Sequence, residues 1–373
     1  MIYSRLFIVF LCLVLPGLPA HAMSLERAAR APDSMTLCGE RVPFELDDVR
    51  ERYELEMLLN LGNRPQVLLW LKRSTRYLPF ISQELENAGM PDDLKYLAIV
   101  ESALRPHAAS ARGATGYWQM MPETARNNGL VVDRFIDQRR DLYASTVAAL
   151  KYLQSLHDQF SSWTLALAAY NMGKNGLDAE MLEQNISDYY KLALPAETQR
   201  FIFRMLAVKR IVSDPEAYGL ELDAQDTYAP IEFDSVIVDL SQEVPIRLVA
   251  EAAGTYYKAI KDLNPQLRGH YLQAGQHPIR LPTGTADGFS GRFIALVSDH
   301  ERHRQQRIYV VQSGDSLSVI ADRFNVPLAA ILIWNRIDMR KPIHPGDRLV
   351  IFRRPNDPLG ALWQDDTPAE ADE

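Results

Sequence analysis

The chain has 373 residues, 47% hydrophobic and 24% charged, which are ordinary proportions for a soluble globular protein with room for two or three domains. A net charge of -8 and a pI near 5.6 argue against a broad nucleic-acid surface, which needs clustered basic residues. The eight histidines show no metal-ligand spacing, so neither a metal nor a cofactor is expected.

In chain order, the N-terminus reads as an export signal over residues 1–22. Arg5 supplies a basic start, LFIVFLCLVL (6–15) an apolar run, and LPAHA (18–22) a small-residue cleavage pattern, which predicts a periplasmic mature protein. Cleavage after Ala22 is preferred to an uncleaved anchor, because Pro16, Gly17 and Pro19 break the run; peripheral membrane attachment stays open. Cys12 follows Phe10 and Leu11, where a lipid-attachment motif wants small residues. Once the signal is removed Cys38 is the only cysteine, so no internal disulfide can form. Residues 23–46 read as an irregular lead-in broken by Pro32, Gly39 and Pro43.

From 47 to 215 the pattern is helical, with its densest part between 85 and 200. VRERYELEMLLNL, QVLLWLKRSTRYLPFISQELENAG, PDDLKYLAIVESAL, DLYASTVAALKYLQSLHDQF, WTLALAAYNMG and ETQRFIFRMLAVKRIV all carry apolar residues at 3.6-residue spacing. Pro91 with Asp92 and Asp93 marks a helix start, and Gly173 marks a helix end. The composition then changes. Residues 228–283 show short strand-like ends around the helical stretch VPIRLVAEAAGTYYKAIKDLNPQL. A basic connector, HERHRQQR (300–307), leads to 308–352, which repeats the order strand, helix, helix, strand. The offset of about 80 residues suggests a duplicated βααβ unit whose first copy is degenerate. The second copy opens on QSGD, with Asp315 or Ser316 as helix cap. Residues 353–373 form an acidic tail with the composition of a disordered segment.

The stretch LAIVESALRPHAASARGATGYWQMMPETA (97–125) carries the chemistry. Leu94, Leu97, Ala98 and Glu101 share one helix face, so a carboxylate points where the core belongs. One reading is a structural ion pair with Arg105. The other is a carboxylic acid kept protonated by apolar surroundings and able to act as a general acid. The loop favours the second: Gly113 and Gly116 permit close backbone approach, while Ser110 and Gln119 offer neutral hydrogen bonds to a sugar. Trp118 reads better as a core residue than as a ligand contact.

These residues carry a resemblance. E-S at 101–102, a serine at 110, GATGYWQMMPETA at 113–125 and AYNMG at 169–173 resemble the signatures of the soluble-lytic-transglycosylase-like family, lysozyme-like enzymes that cleave peptidoglycan glycan strands. The unit 308–352 resembles a LysM glycan-binding module through VxxGDSL, IAxRF, WN and IxPGDRL. The resemblance implies an α+β multidomain fold, with a mainly α-helical lysozyme-like catalytic domain over 47–215, a degenerate LysM-like segment and a βααβ LysM domain. It implies Glu101 as the single catalytic acid, and Ser110, Gln119, Met121, Tyr170, Asn171 and Glu197 as substrate-binding residues. In the LysM unit it implies that Asp315, Ser316, Leu317 and Ile337 contact glycan. Where the family commonly has tyrosine after the LPAET motif, this chain has Phe201. The reaction that the resemblance implies joins the MurNAc 6-hydroxyl to the anomeric carbon without water. A silent peptidoglycan-binding scaffold and a hydrolytic muramidase remain the alternatives.

Overall fold

The computed structural model describes residues 25–305, 308–339 and 341–352. The expected signal, part of the connector and the acidic tail lie outside the described residues. The chain divides into two compact units, one ending at Pro230 and interrupted by residues 130–141, the other holding 130–141 and everything from Ile231 onward.

The first unit is helical. A short helix α1 (Leu25–Ala29) and the two-residue strands β1 (Thr36–Leu37) and β2 (Glu40–Arg41) precede α2 (Asp47–Gly62) and α3 (Arg64–Asn87). A 3-10 turn over Asp92–Lys95 leads into α4 (Tyr96–Ser102), followed by α5 (Pro122–Asn127), α6 (Leu142–Phe160), α7 (Trp163–Met172), α8 (Lys174–Gln184) and α9 (Ala196–Ser213). Helix α7 has no polar stripe until its end: Trp163 to Ala169 are all buried, so it runs through the core with α6 and α9 packed against it. Helix α9 also packs on α2 and α4 and contributes Phe201, Ile202, Phe203, Met205 and Leu206, each at most 1% exposed.

Residues 36–41, expected to be irregular, form a hairpin. Its turn places Cys38 and Gly39 at φ 54° and 84°, and its order comes from tertiary partners. Asp93 accepts from the Cys38 amide at 2.7 Å, and Lys209 donates to the Thr36 carbonyl at 2.8 Å. Glu40 then caps α7 from outside that helix, accepting from the Trp163 amide and, at 3.1 Å, from the Thr164 amide, as well as from both neighbouring hydroxyls. Those amides are the orphan donors of a helix start, where a carboxylate also meets the positive end of the dipole.

The second unit contains two βααβ modules. The first comprises β3 (Asp234–Leu240), β4 (Val244–Pro245), α10 (Ile246–Ala252), α11 (Tyr257–Leu263), β5 (Tyr271–Leu272) and β6 (Gly275–Leu281), followed by α12 (Phe289–Gln305). The second comprises β7 (Ile308–Val310), α13 (Leu317–Arg323), α14 (Leu328–Asn335) and β8 (Arg348–Val350). Outer strands pair antiparallel in both, β3 with β6 and β7 with β8. A shared fastening marks the duplication. Asn264 donates to Ile260 and Arg280 carbonyls and accepts from the Arg280 amide; Asn335 does the same with Ile331 and Val350. The two asparagines lie 71 positions apart, somewhat closer than the expected repeat. Residues 130–141 join the first module: the Asp137 amide donates to the Gln266 carbonyl at 2.8 Å, and Asp141 pairs with Arg280. Between modules, Arg336 pairs with Glu243 and lies over the Tyr271 ring at 4.8 Å.

Replacing Glu40 with Ala leaves the first amides of α7 without their acceptor. We expect a loss of about 1–2 kcal/mol, read as a lower denaturation midpoint with unchanged m-value.

Candidate active site

Helix α4 is only seven residues long and brings Glu101 to its last turn. Leu94, Leu97 and Ala98 on the same face are fully buried, and Glu101 is half-buried, so the helical-wheel expectation describes the folded chain. Two consecutive non-glycine residues in the left-handed region, Ala103 at φ 52° and Leu104 at φ 57°, stop the helix just past Glu101. Such conformations cost about 1–3 kcal/mol each and need enforcement. Arg73 supplies it by donating to the Ala103 carbonyl at 3.0 Å, and Leu104, 1% exposed, is anchored in the core.

Ser102, next to Glu101, is 3% exposed and donates to the carbonyls of Ala98 and Tyr117. It thereby ties the glycine-rich loop to the helix that carries the acid. Arg105, offered by the sequence as an ion-pair partner for Glu101, turns instead to the Ser102 carbonyl at 3.0 Å. Burial is the largest influence on Glu101 and raises its carboxyl to about 8; Arg204 opposes the rise and Glu197 adds to it. An acid with that value is protonated at neutral pH and still close enough to release its proton.

The loop residues divide by role. Ser110 is exposed and accepts from the Ala114 amide, shaping the turn around Gly113. Gln119 sits at φ 46° and spends its side-chain amide on the Ala108 and Gly116 carbonyls, at 3.0 and 2.8 Å. Met121 is 43% exposed, an apolar side chain open to solvent. Trp118 is fully buried with its indole donating to Thr146, the core residue the sequence suggested. Tyr170 donates to the Trp118 carbonyl at 2.6 Å, so the AYN segment and the loop are fastened together. Burial, followed by the charge of Glu101, pushes the Tyr170 phenol up. Gly173, at φ 93°, ends α7 and starts α8.

Sequence reasoning missed two partners. Thr198 donates to Asn171 Oδ1 at 2.8 Å, orienting that amide with its nitrogen directed elsewhere. Arg204 holds Glu197 Oε1 at 2.6 Å, and the Glu197 carboxylate is 63% exposed. Both stand on α9; Thr198 closes the LPAET motif, whereas Arg204 lies in no motif, and its helical spacing from Glu197, seven apart, was the one available signal for it. In the second βααβ module Ser316 caps α13, accepting from the Val319 amide. Asp315 is committed to the Tyr309 hydroxyl, the Gln312 amide and Arg323. Leu317 and Ile337 are half-buried against the module's core.

This geometry can be set beside known proteins. A Transglycosylase SLT domain matches residues 79–192, a LysM domain residues 309–352, and the domain described as "Lytic transglycosylase MltD, LysM-like domain" residues 232–292. The chain is therefore an SLT-type lytic transglycosylase with an α+β, multidomain build and two LysM-type modules. It is 34% identical over 322 residues to membrane-bound lytic murein transglycosylase D of Escherichia coli K12, covering 82% of this chain and 69% of that one. The chain belongs to the lytic murein transglycosylase D family. A putative tributyltin chloride resistance protein of Alteromonas sp. strain M-1 is 34% identical over 110 residues, 29% of this chain and 53% of that protein. The 70 kDa soluble lytic transglycosylase of Escherichia coli aligns at 19% identity and a TM-score of 0.35, over 50% of this chain and 36% of that one.

A carboxyl raised on folding binds its proton more tightly in the native than in the unfolded chain. Its contribution is therefore full below about pH 4.5 and is lost as pH rises towards about 8. Glu101→Gln removes this term, so the variant should gain about 2–4 kcal/mol on the native chain between pH 5 and 8, measured by denaturant melts at each pH.

Proposed function

We propose that the chain cleaves the β-1,4 bond between MurNAc and GlcNAc by a one-carboxylate, water-free mechanism. Protonated Glu101 gives its proton to the glycosidic oxygen as the bond to the anomeric carbon breaks, and the substrate's 2-acetamido group steadies the positive centre. The resulting carboxylate takes the proton of the MurNAc 6-hydroxyl, whose oxygen bonds to the anomeric carbon and closes a 1,6-anhydro ring. The observation that carries this reading is the raised carboxyl of Glu101, unpaired with Arg105, beside a second carboxylate already held by Arg204. A hydrolase ordinarily needs that second carboxylate for a nucleophile or for water activation.

Ser110, Gln119, Met121, Tyr170 and Asn171 would shape the glycan cleft, with Gln119 and Tyr170 acting mainly by holding the loop. We assign the second βααβ module, 308–352, to glycan binding, with Ser316 and Leu317 at the start of α13 and Ile337 just after α14; Asp315 organises the loop before α13. The segment 228–283 serves as a spacer, which its bonds to residues 130–141 support. The protein works in the periplasm after export by residues 1–22, without metal or cofactor, on peptidoglycan. Membrane attachment, stated in the name of the Escherichia coli relative, would be peripheral here.

Digestion of purified sacculi followed by mass analysis of the muropeptides tests the mechanism. Anhydro ends are expected, falling about a thousandfold in rate in Glu101→Gln. Reducing ends would establish a muramidase instead, and no release would leave a scaffold. Deleting 308–352 should lower the fraction of protein that pellets with sacculi by about tenfold, since two linked sites become one; unchanged pelleting would remove the module from binding.

A further inference from the structure

Helix α9 carries a cation that the mechanism above does not use. Glu197 lies in its first turn and Arg204 two turns later on the same face, and α9 packs directly against α4, the helix of Glu101. Arg204 is half-buried. One of its terminal nitrogens holds Glu197 at 2.6 Å, while its Nε is shut off from solvent with no hydrogen-bond partner. A buried donor on a charged group left unpaired is costly, and a guanidinium has five N–H groups in a fixed fork, enough for two carboxylates.

We infer that Arg204 is a positioning residue shared between two carboxylates, bound to Glu197 in the resting enzyme and drawn to Glu101 when that side chain has given up its proton. The inference rests on the reading of Glu101 as acid and then base. In the first half of the reaction the proton goes to the glycosidic oxygen, and Glu101 becomes an anion in a half-buried site. Arg204 exchanges no proton; it changes hydrogen-bond partners and balances that charge. In the second half the proton of the 6-hydroxyl returns to Glu101, and Arg204 goes back to Glu197 alone. Glu197 thus acts on the acid through Arg204 rather than as a sugar contact, and its pairing keeps Arg204 from ionising Glu101 prematurely.

The other charged groups around α4 are committed elsewhere. Arg105 faces the Ser102 carbonyl, Arg73 the Ala103 carbonyl, and Arg200 pairs with buried Glu56. In the 3-10 turn before α4, Asp92 pairs with Lys95 and Asp93 with Lys209. Helix α7 brings only the Tyr170 phenol, which donates to the Trp118 carbonyl. The electrostatic influences on Glu101 agree in sign with this arrangement, Arg204 lowering its carboxyl and Glu197 raising it.

The test is the pH dependence of kcat/KM on purified sacculi for the full chain and for Arg204→Gln, Arg204→Lys and Glu197→Gln. The alkaline limb reports loss of the proton from the acid. Removing the cation should move that limb up by about one pH unit, with a drop of about tenfold or more at the optimum. Glu197→Gln should move the limb down, and Arg204→Lys should return it close to the parent. Limbs that coincide in all four proteins overturn the inference. If Arg204→Gln does not fold, Glu197→Gln, altered at an exposed carboxylate, decides alone. Glu101→Gln in the same assay separates the two claims: retained anhydro products would sink the reading of Glu101, whereas their loss with coincident limbs would sink only the role of Arg204.

Discussion

The site depends on one constraint: a carboxyl group kept partly out of water without a dedicated counter-ion. Removing an ionised carboxylate from solvent is costly, and the molecule meets that cost by leaving the group protonated. The surrounding features follow from it. Arginines close in sequence or space are committed to backbone carbonyls, as Arg105 and Arg73 are, so that they do not neutralise Glu101. The arginine that does bear on it is moderated by Glu197.

The same stretch concentrates backbone strain. Ala103, Leu104 and Gln119 all occupy the left-handed region, and none is glycine. Each is enforced by a specific contact: Arg73 on Ala103, core burial on Leu104, and two bonds from the Gln119 side chain to the loop it belongs to. Ser102 and Tyr170 then join this loop to α4 and α7. The polar residues that a sugar-binding reading selects are thus partly occupied in holding the loop still. Rigid placement of a reacting group lowers the entropy that reaching the reactive geometry costs.

The second unit shows how a duplicated module diverges while retaining its fastening. Asn264 and Asn335 make matching bonds to their final strands, each side chain satisfying both backbone groups of one residue. The first copy lacks the turn signal of the second and is bonded through Gln266 to residues 130–141, with an ion pair between Asp141 and Arg280.

Much of this was legible in the chain itself. Apolar spacing located the helices, the face of Leu94, Leu97, Ala98 and Glu101 predicted a carboxyl turned towards the core, and the repeated order of strand, helix, helix and strand exposed the duplication, because these signals depend on residues close in sequence. The lead-in hairpin escaped notice since its order comes from Asp93, Lys209 and α7, 55 to 173 positions away. The apolar face already favoured a protonated Glu101, but the charges around it could not be read. Arg105 was the nearer cation by sequence, and only folding turned it away and brought up Arg204 and Glu197 from a helix a hundred residues later. A local pattern determines which face of a helix is buried; the electrostatics of a buried group depend on every charge within a few ångströms, and that neighbourhood exists only in the tertiary structure.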